Sequence, residues 1–263
     1  MKFHRAIEKA NQESRLGLVV YVIPNYPDPD QFKTILSLLD SSDFVSIIET
    51  TIPTIDGFSD HTNDTIRNAH IEACRHATAL VRVRTNKPML CVLYRGTAEK
   101  SSFEQILIDN KGAWEGLILE WSEENEAPYV ETANRHGLEL VQCVGPWMSE
   151  RRIREILSLA IPKPLVYLMS APMTGAALFG KKELEKCIET IKSICPASKI
   201  AAGFGIRTIH DIKTLSVIEG LDAVIIGTAF LEAMGRGHRD AAKFLLAVEG
   251  SLIRLSDGEV ATI

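Results

Sequence analysis

The sequence predicts an α/β protein: a single (β/α)8 barrel with one extra N-terminal helix, taken as one domain over residues 1–263. Three observations carry this. Eight short apolar runs alternate with amphipathic stretches along the chain, the pattern of a parallel sheet with right-handed crossovers. The length of 263 residues is long for a doubly wound sheet and ordinary for a barrel of roughly 250 residues. No linker, low-complexity segment or shift in composition divides the chain.

Each element has a local reason. Phe3, Ile7 and Ala10 share one helical face, so residues 2–14 form the leading helix. Leu16 to Ile23 is the first strand, and the prolines of 24–29 make the loop after it. A helix follows through Phe32, Ile35, Leu36 and Leu39. The second strand is 44–49, the loop after it is 50–64, and Thr65 caps a long helix to about Thr85. Met89 to Leu93 is strand three, with a helix near 102–109. Leu117 to Leu119 centres strand four, which ends at Glu120 and Trp121 before a helix at about 124–136. Leu138 to Cys143 is strand five, broken by Gly145-Pro146, and Ser149 caps a helix to about Ala160. Leu165 to Met169 is strand six, followed by the loop 170–175 and a helix from Lys181 to Ile194. Lys199 to Ala202 is strand seven, with a helix over 208–217. Ala223 to Ile226 is strand eight, the last helix covers 239–254, and the tail from Ser256 is loose.

Composition narrows the function. A hydrophobic share of 46% with 24% charged residues supports a full core. The net charge of −5 argues against a nucleic-acid surface. No run approaches the roughly 20 apolar residues of a membrane span. The charged N-terminus does not resemble a signal peptide, so a cytoplasmic location is expected. The five cysteines form no close pair and read as reduced, mostly buried thiols.

In a barrel, the strand ends converge on one face, where chemistry is placed. Glu49 stands there, at the end of the second strand, and three more acids (Asp56, Asp60 and Asp64) follow in its loop. On that stretch alone Glu49 could equally be a solvated strand-end charge. Glycine loops follow the last three strands: Thr174-Gly175, Gly203-Phe204-Gly205 and Gly227-Thr228. Bare backbone N–H groups at such turns suit a phosphate. Tyr21, Tyr94, Trp121 and Phe204 suit a flat apolar group, and Tyr167 sits within strand six. Two carboxylates in different surroundings, Glu49 and Asp60, can divide acid and base roles. Proton transfer on a phosphorylated, partly apolar small molecule is therefore expected. Gly175 to Lys182 nearly matches a nucleotide phosphate loop, but Lys182 stands where Ser or Thr is needed. A metal site from Asp56, Asp60, His61 and Asp64 matches no standard spacing. No metal and no cofactor is expected.

These motifs resemble the α subunit of tryptophan synthase. The resemblance runs through Ile48-Glu49 with Ile52-Pro53, then Asp56 and Asp60, Tyr94, Tyr167 to Ser170, Thr174-Gly175, Gly203 to Ile206, and Gly227 to Ala229. It implies retro-aldol cleavage of indole-3-glycerol phosphate to indole and glyceraldehyde 3-phosphate. It implies Glu49 as the acid and base, and Asp60 as acceptor of the indole N–H. Gly175, Gly205, Gly227 and Thr228 would hold the phosphate, while Tyr21, Tyr94, Tyr167 and Phe204 would wall the indole pocket. It also implies a PLP-dependent β subunit as partner. The sequence departs from the family in the loop Thr54 to Thr62, which keeps both acids but lacks the family's prolines and the Gly after the second acid. The loop after strand six lacks the family's Arg and is one residue shorter, with Ala171-Pro172. Two other readings stand beside this one: a related barrel lyase or aldolase on another phosphorylated substrate, and a catalytically weak subunit that activates a partner.

Overall fold

A computed structural model of the chain describes residues 2–76, 85–120 and 126–253. The elements are α1 (Lys2–Gln12), β1 (Gly17–Tyr21), α2 (Pro29–Ser41), β2 (Val45–Thr51), α3 (Asp64–Arg75), β3 (Met89–Leu93), α4 (Arg95–Ala98), α5 (Phe103–Asp109), β4 (Gly116–Leu119) and α6 (Ala127–Arg135). They continue with β5 (Glu139–Leu140), β6 (Gln142–Val144), α7 (Glu150–Ser158), β7 (Leu165–Met169), α8 (Lys181–Ile194), β8 (Lys199–Gly203), α9 (Ile209–Ser216), β9 (Ala223–Ile226), α10 (Thr228–Gly235) and α11 (His238–Glu249).

The named strands all pair in parallel, in the order β5-β4-β3-β2-β1-β9-β8-β7-β6. The two ends of that order, β5 and β6, are separated in the chain only by Val141. The ring therefore closes through one continuous segment, and the architecture is the expected (β/α)8 barrel. The fifth strand differs from the expectation because Val141 breaks its pairing: its N–H bonds back to Leu117 at 2.8 Å, while the next residues pair forward with β7. β1, β2, β3 and β9 are buried at every residue. Strands with helices outside and barrel core inside have no solvated face, so β1, β3 and β9 read as apolar runs, while β2 also buries Ser46, Glu49, Thr50 and Thr51.

The leading helix plugs the bottom of the barrel. Its buried residues are Phe3, Ile7 and Ala10. A Cβ on Gly116, at the start of β4, would lie 2.6 Å from the Phe3 ring, so glycine is what lets that ring seat there. Several elements differ from the sequence reading, and the second strand, expected over 44–49, runs on to Thr51, so Glu49 lies within it and not at its end. Asn63, not Thr65, caps α3, because its side chain accepts from the Ile66 N–H at 3.0 Å. The turn α4 precedes α5. The single helix expected over 239–254 begins at His238 and ends at Glu249, and a separate α10 precedes it. The stretch 77–84 of the expected long helix, Trp121, the start of the expected helix at 124, and the tail from 254 lie outside the described residues. No helix among the described residues is long and apolar enough to cross a membrane.

Candidate active site

A cavity of 660 Å³ opens at the C-terminal ends of the strands. It is lined by Glu49, Asp60, Tyr21, Tyr94, Tyr167, Thr174, Gly175, Phe204, Gly205, Gly227 and Thr228, so one pocket gathers nearly all the candidates. Gly203 stands behind this lining: a Cβ there would collide with the Tyr167 hydroxyl. Trp121 lies outside the described residues.

Glu49 is only 3% exposed. It sits in β2 beside Tyr21 of β1 and Leu90 of β3. No described residue hydrogen-bonds its carboxyl group, and burial alone pushes its pKa up to about 8. A carboxylic acid with no compensating partner favours its neutral form. At neutral pH this group is therefore an acid with a proton to give, the state a general acid needs.

Beside it is a buried polar cluster. His70 accepts at Nδ1 from the Thr54 N–H at 3.2 Å, and its Nε2 lies 3.0 Å from the Tyr21 hydroxyl. The Tyr21 and Tyr94 hydroxyls are 3.2 Å apart. Phe58 stands edge-on to both His70 and Tyr94, with ring centroids 5.1 and 5.2 Å away. Sequence reasoning missed His70. Its signal was position: with Ile66, Ala69 and Ala73 it lies on the buried stripe of α3, where a polar residue needs partners.

The opposite side offers backbone. Ser170 donates from Oγ to the carbonyls of Gly203 at 2.7 Å and Phe204 at 2.8 Å, and so holds that turn. Phe204 takes φ 71° and Gly205 φ 76°. A left-handed Phe is uncommon and costs on the order of 1 kcal/mol. Gly205 has no room for a side chain, since a Cβ would come within 2.7 Å of Ala171 and of the Ala176 carbonyl. No side chain caps α10, which opens on Gly227, so its positive N-terminal end is left to the cavity. Asn63 Nδ2 donates to the Thr228 hydroxyl at 3.0 Å.

The loop after β2 is held by hydrogen bonds from its neighbours. Glu120 Oε1 accepts from the N–H of Ser59 at 2.9 Å, from the Ser59 hydroxyl, and from the Thr62 hydroxyl at 2.6 Å. From the other side, Arg67 donates to the carbonyls of Thr62 at 2.9 Å and Ser59 at 2.8 Å. The absent prolines are thus replaced by hydrogen bonds. Thr174 joins this loop to the one after β7: its N–H and hydroxyl both donate to the His61 carbonyl at 2.9 Å, and its hydroxyl accepts from the Asn63 N–H at 2.8 Å. Thr174 therefore serves as a latch between loops, its N–H already engaged. Asp60 is exposed on the cavity rim, and no described residue bonds its carboxylate. Glu120, which directly follows β4, was given no role from sequence. No group of three or more metal-ligating side chains occurs among the described residues.

A family profile described as Tryptophan synthase alpha chain matches residues 7–252. The tryptophan synthase alpha chain of Thermococcus kodakarensis is 26% identical over 223 residues, covering 80% of this chain and 86% of the relative. That of Pyrococcus furiosus is 25% identical over 230 residues, covering 83% and 90%. Among solved structures, Mycobacterium tuberculosis tryptophan synthase superposes with a TM-score of 0.81 at 18% identity, over 97% of this chain and 98% of that one.

Proposed function

We propose that this chain, which belongs to the tryptophan synthase alpha chain family, cleaves indole-3-glycerol phosphate with Glu49 as both acid and base. The family's members are carbon–carbon lyases of tryptophan biosynthesis, and the enzyme class follows from membership. What supports the assignment to particular residues is one observation: an unpartnered, buried carboxyl group held protonated near neutral pH, in the same cavity as three glycine turns.

In this reading the phosphate lies against Gly175, Gly205, Gly227 and Thr228, where backbone N–H groups and the α10 terminus favour an anion. The indole ring fills the space among Tyr94, Tyr167 and Phe204. Glu49 gives its proton to the ring carbon that bears the glycerol chain. As a carboxylate it then takes the hydroxyl proton from the adjacent chain carbon. The bond between the two carbons breaks, its electrons return the ring to neutral indole, and the oxygen becomes the carbonyl of glyceraldehyde 3-phosphate. Asp60 accepts the indole N–H from the rim. A PLP-dependent β subunit is the proposed recipient of the indole, and the cytoplasm the proposed location.

The test is indole release from indole-3-glycerol phosphate by the purified chain, alone and with a β subunit. Glu49→Gln is expected to lower the rate about 100-fold or more while phosphate-ligand binding persists. No turnover by the wild-type chain under either condition would sink the proposal. A second reading, a related lyase on another phosphorylated substrate, draws support from the exposed and unbonded state of Asp60. Its signature would be phosphate-ligand binding without indole release.

A further inference from the structure

Thr54, His70, Tyr21 and Tyr94 form a chain of hydrogen bonds whose direction can be worked out. A backbone N–H can only donate, so the Thr54 contact makes His70 Nδ1 an acceptor. His70 is fully buried, and burial pushes its pKa down to about 3, so the ring is neutral. A neutral imidazole with a bare Nδ1 carries its proton on Nε2. That proton goes to the Tyr21 oxygen, 3.0 Å away.

Tyr21 then has its own proton to place. A phenol holds its hydrogen near the ring plane, with one direction for donating and one for accepting. His70 occupies the accepting direction, and Tyr94 is the only other described hydroxyl in reach, at 3.2 Å. Chains in which every bond runs the same way also reinforce one another. One proton is left over, on Tyr94. That residue is 4% exposed, lines the cavity, and has no described acceptor for its own O–H.

Tyr21 and Tyr94 also belong to the two strand segments on either side of the one that carries Glu49. Tyr21 is its partner across the β1–β2 ladder, and Tyr94 directly follows β3, the strand on the other side. Resting on the function proposed above, we infer that the Tyr94 hydroxyl, aimed by Thr54, His70 and Tyr21, donates to the substrate oxygen whose proton Glu49 removes. The indole ring offers no in-plane lone pair there, since its nitrogen carries a hydrogen. The chain hydroxyl beside the ring does. Donation to that oxygen stabilises it while Glu49 takes the proton, the carbon–carbon bond breaks, and the oxygen becomes a carbonyl. Tyr94 touches the reacting atom; Tyr21 and His70 are positioning residues.

The experiment uses the Glu49→Gln chain, which binds without turnover, and two ligands. One is indole-3-glycerol phosphate; the other is the phosphate ester of 3-(indol-3-yl)propan-1-ol, which lacks the chain hydroxyls. Tyr94→Phe should weaken the first about 5- to 10-fold and leave the second within about twofold. Tyr21→Phe should also weaken the first, yet add nothing once Tyr94 is Phe, because it acts through that hydroxyl. Equal loss on both ligands, additive losses, or no loss would overturn the inference. If the parent variant binds neither ligand, the function itself fails and the inference falls with it. Should a Phe variant not fold, nitrogen-15 NMR of His70 in the wild-type chain decides: a proton on Nε2 supports the relay, and one on Nδ1 refutes it.

Discussion

Glu49 stores a penalty that pH can reveal. Its pKa is raised from 4.5 to about 8 on folding, so the folded chain holds this proton more tightly than the unfolded one. Stability from this group is fully present below pH 4.5 and is lost as pH rises through the folded value near 8. Glu49→Gln, which stays neutral at every pH, should therefore melt higher than wild type at pH 9 and match it near pH 5, by on the order of a few kcal/mol at the alkaline end. Thermal melts across that range check it, and a pH-independent difference would contradict the burial argument. Indole release should likewise decline above about pH 8, because the cycle begins with the protonated acid. A wild-type rate flat to pH 10 would count against Glu49 as that acid.

The loop after β2 owes its shape to a neighbour rather than to its own residues. Glu120→Ala removes the acceptor of three hydrogen bonds from Ser59 and Thr62. Amide exchange over residues 57–63 should speed up, and kcat/KM for indole release should fall about 10-fold or more through Asp60, which that loop carries. Unchanged exchange there would show that Arg67 alone suffices. This element also marks the limit of what the sequence could tell. Glu49 and the glycine turns were legible because they stand in or just past the C-terminal halves of strands, which any barrel brings together. His70 and Glu120 were not, because their roles depend on distant residues, Tyr21 and Ser59. α10 was hidden for another reason: Ala229, Phe230, Leu231, Ala233 and Met234 are all buried and Glu232 is its one charged residue, so its polar face is too narrow to set a clear helical period. Asn63 and Thr65 are both cap-forming types two residues apart, and only the Ile66 N–H decides between them. The break at Val141 is a matter of pairing register, which alternation cannot show.

At the scale of the molecule, three apolar side chains stand exposed on loops around the barrel mouth: Ile55 at 59%, Trp147 at 50% and Met173 at 38%. Exposed apolar groups gathered at one end suit a protein partner. Under the proposed pairing with a β subunit, Ile55→Glu should weaken the complex and its activation of indole release about 10-fold or more, with the rate of the isolated chain nearly unchanged. Titration of activity with β subunit would show it, and an unaltered titration would move the interface elsewhere. The closure of the barrel through Val141 sharpens why the mouth matters. A ring of paired strands has no loose hem to which another chain could stitch a strand of its own. A partner is left with loops and helices, and the loops bearing Ile55 and Met173 are also those that surround the cavity opening. Docking and substrate passage then share one doorway, and whatever seats on it also governs how long a released product stays inside.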